Sequence, residues 1–377
     1  MELSKSLTQP LQRAAYLLFL FIQLGCRKEI DPEKFPSFSH AFVANQGSHT
    51  VSVIDLKTFK NIKTLAVGKS PGQIVASPKN DYVFVANLDS NSISVIDSNS
   101  STLLKTIPTG KRPVDMAFTA DGRFAYVACY GANSIAMIDC KSFSVVKTIK
   151  TQQGPAALKL SEARKELWVT EQVGGSVGVI DIESQAYKAS IAIPPGPLQL
   201  VILPDQTKLF VANAAEEKVS VIDTGTRKVL EPIVTGRTPI QMVLKPDGGE
   251  IYVNNFDADT VVIINTSSLG LNGSFSVGKN PIRGTISSDG QRLYVANYGS
   301  NSVSVLDPPN NRQVIASIAV GTQPESLLLT PDDRYLFVLN SGSNDVSVIR
   351  TDLIEPGHNA LFTVIQTGAN PSSIVIK

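Results

Sequence analysis

The chain has 377 residues, 42% of them apolar, which is enough to bury a sizeable core and excludes wholesale disorder. Its 34 Lys+Arg stand against 33 Asp+Glu, and leaving out Glu2, Lys5 and Arg13 of the first 25 residues the count is 32 against 32. That balance, with no tract in which aromatic and basic residues interleave, argues against nucleic acid as a partner, because phosphate binding needs concentrated positive charge.

The N-terminus reads apart from the rest. Lys5 and Arg13 precede the apolar run AAYLLFLFIQL (Ala14–Leu24). Eleven helical residues reach about 16 Å, roughly half a bilayer core, so residues 1–25 read as a signal peptide and not as a membrane anchor. The run ends in Leu24-Gly25-Cys26, which resembles a bacterial lipoprotein processing site with Cys26 as the lipidated residue. Gln23 and Leu24 depart from the usual pattern there. An ordinary cleaved signal and an uncleaved segment are the alternatives. Residues 26–39, charged and punctuated by Pro, suit a tether. The expected location is the cell envelope, at the outer membrane or in the periplasm, with membrane contact only through a lipid anchor at Cys26. Without lipidation the expectation is secretion.

From residue 40 onward one hairpin recurs. FVANQGSHTVSVID begins at Phe42, and its counterparts begin at Phe84, Tyr126, Trp168, Phe210, Tyr252 and Tyr294, each 42 residues on, then at Phe337 after 43. Such regularity identifies a repeat architecture. Ahead of each hairpin lies a Pro-led apolar run ending in a polar turn, as in PVDMAFTADG (Pro113–Gly122). Behind it comes an outer run such as LLKTIPTG (Leu103–Gly110). Each unit is therefore four short antiparallel strands, the arithmetic of a β-propeller blade. No sustained 3.6-residue apolar period supports a helical array.

The ends of the repeat region decide between a ring and an open spiral. The region opens on a hairpin at Ala41 with no Pro-led strand before it, and closes on a lone Pro-led strand, PSSIVIK (Pro371–Lys377). Eight Pro-led strands match eight hairpins. The expectation is an all-β, eight-bladed propeller over residues 40–377, the C-terminal strand completing the first blade and removing two exposed sheet edges. Seven blades plus an irregular sheet is the lesser option. Cys129 and Cys140 fall at opposite ends of one hairpin, about 15–20 Å apart at the usual strand rise, too far for a disulfide.

The units, with FVAN, YVAN or WVTE followed by VSVID-like strands and a distal Val-Gly, resemble the YVTN β-propeller repeat family of extracytoplasmic and surface-layer-like proteins. The resemblance covers roughly residues 40–377. It implies the fold and leaves function open. Many members are seven-bladed, so eight units is a departure.

The Asp closing each VSVID (Asp55, Asp97, Asp139, Asp181, Asp223, Asp307) reads as a cap for the next turn, not as a metal ligand, and Asn265 replacing it once agrees with a cap. The Asn ending YVAN is assigned to turn chemistry as well. Function is expected where the repeat breaks, around the mouth of the central channel. Turns leading into the inner strands hold Lys69, Lys111, Arg112, Arg237, Lys279 and Arg283, with Gln73, Asp115, Gln199 and Gln241 two residues past their prolines. Carboxylates are sparse there, so the mouth reads as a site for a small anionic ligand; solvated structural loops are the plainer alternative. Tyr130, Phe256 and Tyr298 follow the hairpin motif and could stack on a ring or pack against neighbouring loops. An envelope protein or glycan is the other partner class. The chain is expected to be a monomer.

No catalytic, metal or cofactor set is legible. The three histidines, His40, His49 and His358, lack ligand spacing, no Ser/His/Asp or Cys/His pairing is visible, and every Gly-rich stretch is a hairpin turn. Propeller lactonases, quinoproteins and lyases are relatives by shape. ELWVTE (Glu166–Glu171) echoes the lyases in one blade only, and a single Trp fits the quinoprotein pattern poorly. The sequence favours a non-catalytic binding scaffold; an enzyme or cofactor carrier with a site in the channel mouth is the alternative.

Overall fold

The computed structural model describes residues 39–308, 312–355 and 360–377. The expected signal segment 1–25, Cys26, nearly all of the tether 26–39, and His358 lie outside the described residues. Eight four-stranded antiparallel sheets account for the described strands. Blade one joins β1 (His40–Asn45), β2 (Thr50–Asp55) and β3 (Lys60–Ala66) to the last strand, β32 (Pro371–Ile376). Blade two is β4 (Pro71–Ala76) to β7 (Thr102–Pro108), and six more blades follow in chain order. Their inner strands are β8 (Pro113–Phe118), β12 (Pro155–Ser161), β16 (Pro197–Ile202), β20 (Pro239–Leu244), β24 (Pro281–Ile286) and β28 (Pro324–Leu329).

The ring closes as the chain ends imply. β32 pairs antiparallel with β1, with Ala41 opposite Ile376 and Val43 opposite Ile374. The amides of His40 and Lys377 exchange hydrogen bonds with each other's carbonyls at 3.2 and 2.9 Å. β32 also lies against β4 on one side and β28 on the other, so the inner strands form a continuous circle.

Burial follows strand position. The two middle strands of each blade are buried on both faces, which is why runs such as Phe42-Val43-Ala44 and Val83-Phe84-Val85-Ala86 are continuously apolar. Outer strands keep a single buried anchor, Leu65, Ile107 or Ile149, and leave the rest to solvent. Each seam between blades is an apolar layer; that between blades two and three holds Phe84, Ile107, Met116, Val127 and Ile138. Where the ring closes, Phe59 of blade one meets Tyr335 at 4.9 Å and Phe362 at 5.3 Å between ring centroids. Cys129 and Cys140 are buried free thiols, as the strand arithmetic requires.

Asp55, Asp97, Asp139, Asp181 and Asp223 cap the next turn as expected, while residues 309–311 after Asp307 lie outside the described residues. Asp55 Oδ1 accepts the Thr58 amide at 2.7 Å, and Asn265 Oδ1 accepts the Ser268 amide at 2.9 Å in the same role. The amide of Ser100 holds Asp97, and that of Ser142 holds Asp139, below the usual carboxyl range. The motif asparagines differ from the expectation of turn chemistry. They are fully buried and tie the two middle strands together: Asn87 Nδ2 donates to Ser92 Oγ at 3.2 Å and Ser94 Oγ at 3.0 Å. Two blades vary the pair jointly. Blade three replaces Asn and Ser by Cys129 and Ala136, an apolar pair. Blade four has Glu171, whose carboxylate accepts from Ser176 Oγ at 2.6 Å and Tyr187 Oη at 2.8 Å. Gly178 makes room for it: a Cβ there would stand 2.7 Å from Glu171 Oε1.

A second recurring device fixes each inner strand. The residue before every inner-strand proline has a positive φ, 52° at Ser70 and 57° at Thr238, for instance. Left-handed backbone costs a non-glycine residue about 1–2 kcal/mol. Two hydrogen bonds offset it. The carbonyl of this residue accepts the amide that follows the hairpin motif in all eight blades, as in Leu88 to Ser70 at 3.0 Å. Its own amide reaches a side chain of the preceding hairpin in six, as in Gln323 to Asn301 Oδ1 at 2.9 Å. Gly175 offers no such acceptor, and there the strained position is itself Gly196. Gln323→Gly keeps both bonds and removes the strain. It is expected to raise stability in urea unfolding by about 0.5–1 kcal/mol, the strain relieved less glycine's added unfolded-state entropy; a loss of stability would show that the Gln323 side chain itself holds the turn.

Candidate functional site

The turns leading into the inner strands and the hairpin tips share one face, held together by those backbone bonds. On this face Lys69, Lys111, Arg112, Arg237 and Lys279 are exposed. Arg237 donates to the Asp257 carbonyl at 2.7 Å, and Arg112 lies 5.8 Å over the Tyr130 ring. Tyr130, Phe256 and Tyr298 are half-buried against neighbouring loops. Tyr130 approaches Gly154, where a Cβ would come within 3.2 Å of its ring. None of these eight residues lines the channel cavity, so they form an outer rim.

The channel holds a cavity of about 590 Å³ whose walls come from the inner strands. Gln73, Asp115, Gln199 and Arg283 line it, each two residues past its proline, so Arg283 belongs to β24 and not to a turn. At this level each inner strand slips register against its neighbour, between Pro113 and Asp115 in blade three, for example. Beyond the slip the inner strand is the edge of its sheet, so a backbone amide on its open side has no ladder partner. Side chains of the preceding blade capture it. Asp115 Oδ2 accepts the Leu158 amide at 2.7 Å, Gln199 Oε1 that of Met242 at 2.5 Å, Gln241 Oε1 that of Gly284 at 3.0 Å, and Ser373 Oγ that of Ile74 at 3.4 Å. Gln241 is buried and also accepts from Asn254 Nδ2 at 2.9 Å. Gln199 and Gln241 thus staple blade to blade.

Sequence reasoning missed Glu325, which lines the same cavity one residue past Pro324 and faces Arg283 electrostatically. The expected scarcity of carboxylates therefore fails in the lumen, where one guanidinium has two carboxylates in its field. Arg283 on blade seven and Asp115 on blade three are four blades apart in a ring of eight, on opposite walls. Arg283 projects into the lumen; enclosure by protein pulls its guanidinium down from the usual range, opposed by Glu325 and Asp115. Arginine stays charged regardless. Among the described residues it makes no hydrogen bond and no ion pair within 4 Å.

Burial pushes the Asp115 carboxyl up to about 6, against the pull of the Leu158 and Met116 amides, Gln73 and Arg283. Burial also pushes Glu325 up, with Ser341 and Arg283 pulling the other way. A raised value means that ionising Asp115 opposes folding. Its contribution is intact below the ordinary 3.8 and is lost as pH rises through about 6. Asp115→Asn keeps an acceptor for the Leu158 amide. In urea unfolding it is expected to gain on the parent by on the order of 2 kcal/mol between about pH 4 and about pH 7; parallel pH profiles would contradict the assignment.

Three family models match parts of the chain, each less than half. They are the YNCE-like beta-propeller over residues 100–248, the cytochrome D1 heme domain over residues 37–159, and the 7-bladed beta-propeller lactonase over residues 285–356. No curated protein sequence matches the chain. Among solved structures, dihydro-heme d1 dehydrogenase NirN in complex with DHE superposes with a TM-score of 0.76 at 15% identity, covering 93% of this chain and 76% of that one. Hydrazine synthase of Kuenenia stuttgartiensis gives a TM-score of 0.61 at 24% identity, covering 74% and 95%. A functionally unknown protein from Desulfotomaculum acetoxidans gives 0.61 at 13% identity, covering 90% and 98%. At these identities the likeness is one of fold. The matches place the chain among β-propellers without singling out the YVTN repeat.

Proposed function

We propose that this chain is a non-catalytic binding propeller of the cell envelope, and that the central channel is its ligand site. The observation carrying the reading is Arg283: a guanidinium inside a cavity of about 590 Å³ with no protein hydrogen bond or ion pair among the described residues. The guanidinium is enclosed by the channel walls yet still open to solvent in the lumen, so no protein group answers it, and a small polar ligand bearing an acidic group can do so bidentately. Beyond the lumen, the rim cations Lys69, Lys111, Arg112, Arg237 and Lys279 would steer such a ligand inward. Export as a lipoprotein anchored at Cys26 belongs to the same proposal, with Cys26→Ala moving the protein from the membrane fraction to the soluble one.

A second reading, a cofactor carrier, draws on the match of residues 37–159 to the cytochrome D1 heme domain. A metal-bearing tetrapyrrole is held by an axial imidazole, thiolate, thioether or phenolate. The ionisable residues of the channel wall are Asp115, Lys159, Arg283 and Glu325, and neither His40 nor His49 contributes to it. The thioether of Met116, the one wall residue of the right type, is buried in the seam between blades two and three. Nor does any cluster of three or more His, Cys, Asp or Glu suited to a metal occur among the described residues. The donor set does not fit that group, and no chemistry is derived through it.

The test is a thermal-shift screen of small polar metabolites against the parent protein and Arg283→Met. A true ligand at a hundredfold excess over Kd adds about 2.7 kcal/mol of stability. The expected result is shifts lost in Arg283→Met, with each ligand recovered chemically unchanged. Shifts that persist in the variant, or ligands recovered altered, would overturn the reading.

A further inference from the structure

We propose that the channel takes a zwitterion, a small molecule with one ammonium and one carboxylate on an apolar body, in the class of the free apolar amino acids. The proposal deepens the reading of the channel as a binding site and rests on it.

The charge arrangement selects this class. A simple anion gains Arg283 and Lys159 but meets the fields of Asp115 and Glu325, and a simple cation gains the carboxylates but meets Arg283 and Lys159. Only a ligand carrying both charges satisfies the two sides of the lumen. In that pose its carboxylate takes the guanidinium fork and its ammonium turns to the wall of blades two and three.

That wall offers an unanswered acceptor. Gln73 Nε2 donates to Asp115 Oδ1. An ionised carboxylate only accepts, so the orientation of the Gln73 amide is fixed by chemistry. Its Oε1 is then buried without a partner. Other buried acceptors lack a partner too, the motif asparagine Oδ1 atoms among them, but of these residues Gln73 is the one that lines the lumen. An ammonium, with three N–H donors, can reach Gln73 Oε1 and the remaining lone pairs of Asp115 together.

The apolar part of the ligand has its own space. A second cavity of about 390 Å³ is lined by Val75, Ala117, Phe118 and Leu160 at the far ends of the inner strands. It shares Met116, Leu158 and Lys159 with the charged lumen, so the two adjoin. A charged lumen opening onto a wall that is apolar apart from Lys159 and Glu162 suits a charged head on a short aliphatic or aromatic side chain.

The experiment is calorimetric titration of the full-length protein with L-leucine, 4-methylpentanoate and 3-methylbutylamine, which share one side chain and differ in their charges. Leucine is expected to bind, and each analogue to bind at least about tenfold more weakly. Glu325→Gln, whose residue staples nothing, should weaken leucine more than 4-methylpentanoate. For leucine, affinity should fall as pH drops from about 7 to about 5, because Asp115 takes up a proton and stops attracting the ammonium. The charged groups facing it are Arg283, Glu325 and Lys159. If 4-methylpentanoate matches leucine and tightens as pH falls, the zwitterion is wrong while Arg283 as anchor survives. If neither leucine nor any other apolar amino acid binds, the proposal is overturned.

Discussion

The pairing of β32 with β1 is the constraint on which the other seven blades depend. A blade's middle strands are apolar on both faces, so each blade is stable only between two neighbours. In an open array the first and last blades would each expose one such face and an unpaired edge. The ring removes both liabilities at once. The last strand does more than complete blade one: Ser372 Oγ reaches the Gly72 carbonyl at 3.2 Å, Ser373 Oγ accepts the Ile74 amide, and Lys377 Nζ donates to the Ser77 carbonyl at 2.9 Å, all in blade two. On the other side of blade one, buried Phe59 and Tyr335 fill the seam with blade eight, each contributing about 1.5–3 kcal/mol, and the more exposed Phe362 covers them.

Closure also creates the site. Eight inner strands meeting around one axis leave a lumen that no side chain fills, lined by residues just past the prolines, Gln73, Asp115, Gln199, Arg283 and Glu325 among them. Most of those side chains are committed to the fold. Gln199, Gln241 and Ser373 hold neighbouring backbone amides. Asp115 is divided between the two tasks, since Oδ2 caps Leu158 while the carboxylate as a whole sets the charge of the wall. Arg283 and Glu325 hold no neighbouring backbone amide, so their charges are left facing the lumen.

The architecture was legible because it is written eight times. The 42-residue spacing, the Pro-led strands and the surplus PSSIVIK at the tail lead to eight blades and to the manner of closure, and the Asp caps follow from ordinary turn chemistry. The site was legible only in part. Gln73, Asp115 and Gln199 were found because their position past the proline recurs, whereas Arg283 was found only as a cation and was placed in a turn instead of on the inner strand. Glu325 was missed because it sits one position earlier, where the other blades carry Gly72, Val114 or Leu198. Nothing in the spacing marks a register slip, so Gln199 and Gln241 resembled free amides when they are staples. The motif asparagines were misassigned for a related reason: a residue at the end of a strand can cap a turn or bond across the hairpin, and only the buried hydroxyls of Ser92, opposite Asn87, and Ser94, two residues further along the same strand, distinguish the two.

Native-state hydrogen exchange over the two chain ends tests the account most directly, because protection reports whether a strand belongs to the cooperative unit. If the tail strand is integral to the ring, the amides of Ala41–Asn45 and of Ile374–Ile376 exchange as slowly as those of Leu167–Glu171 in the middle of blade four. Exchange of Ile374–Ile376 at the rate of a frayed terminus, with blade four still protected, would show that the ring is not shut by its last strand.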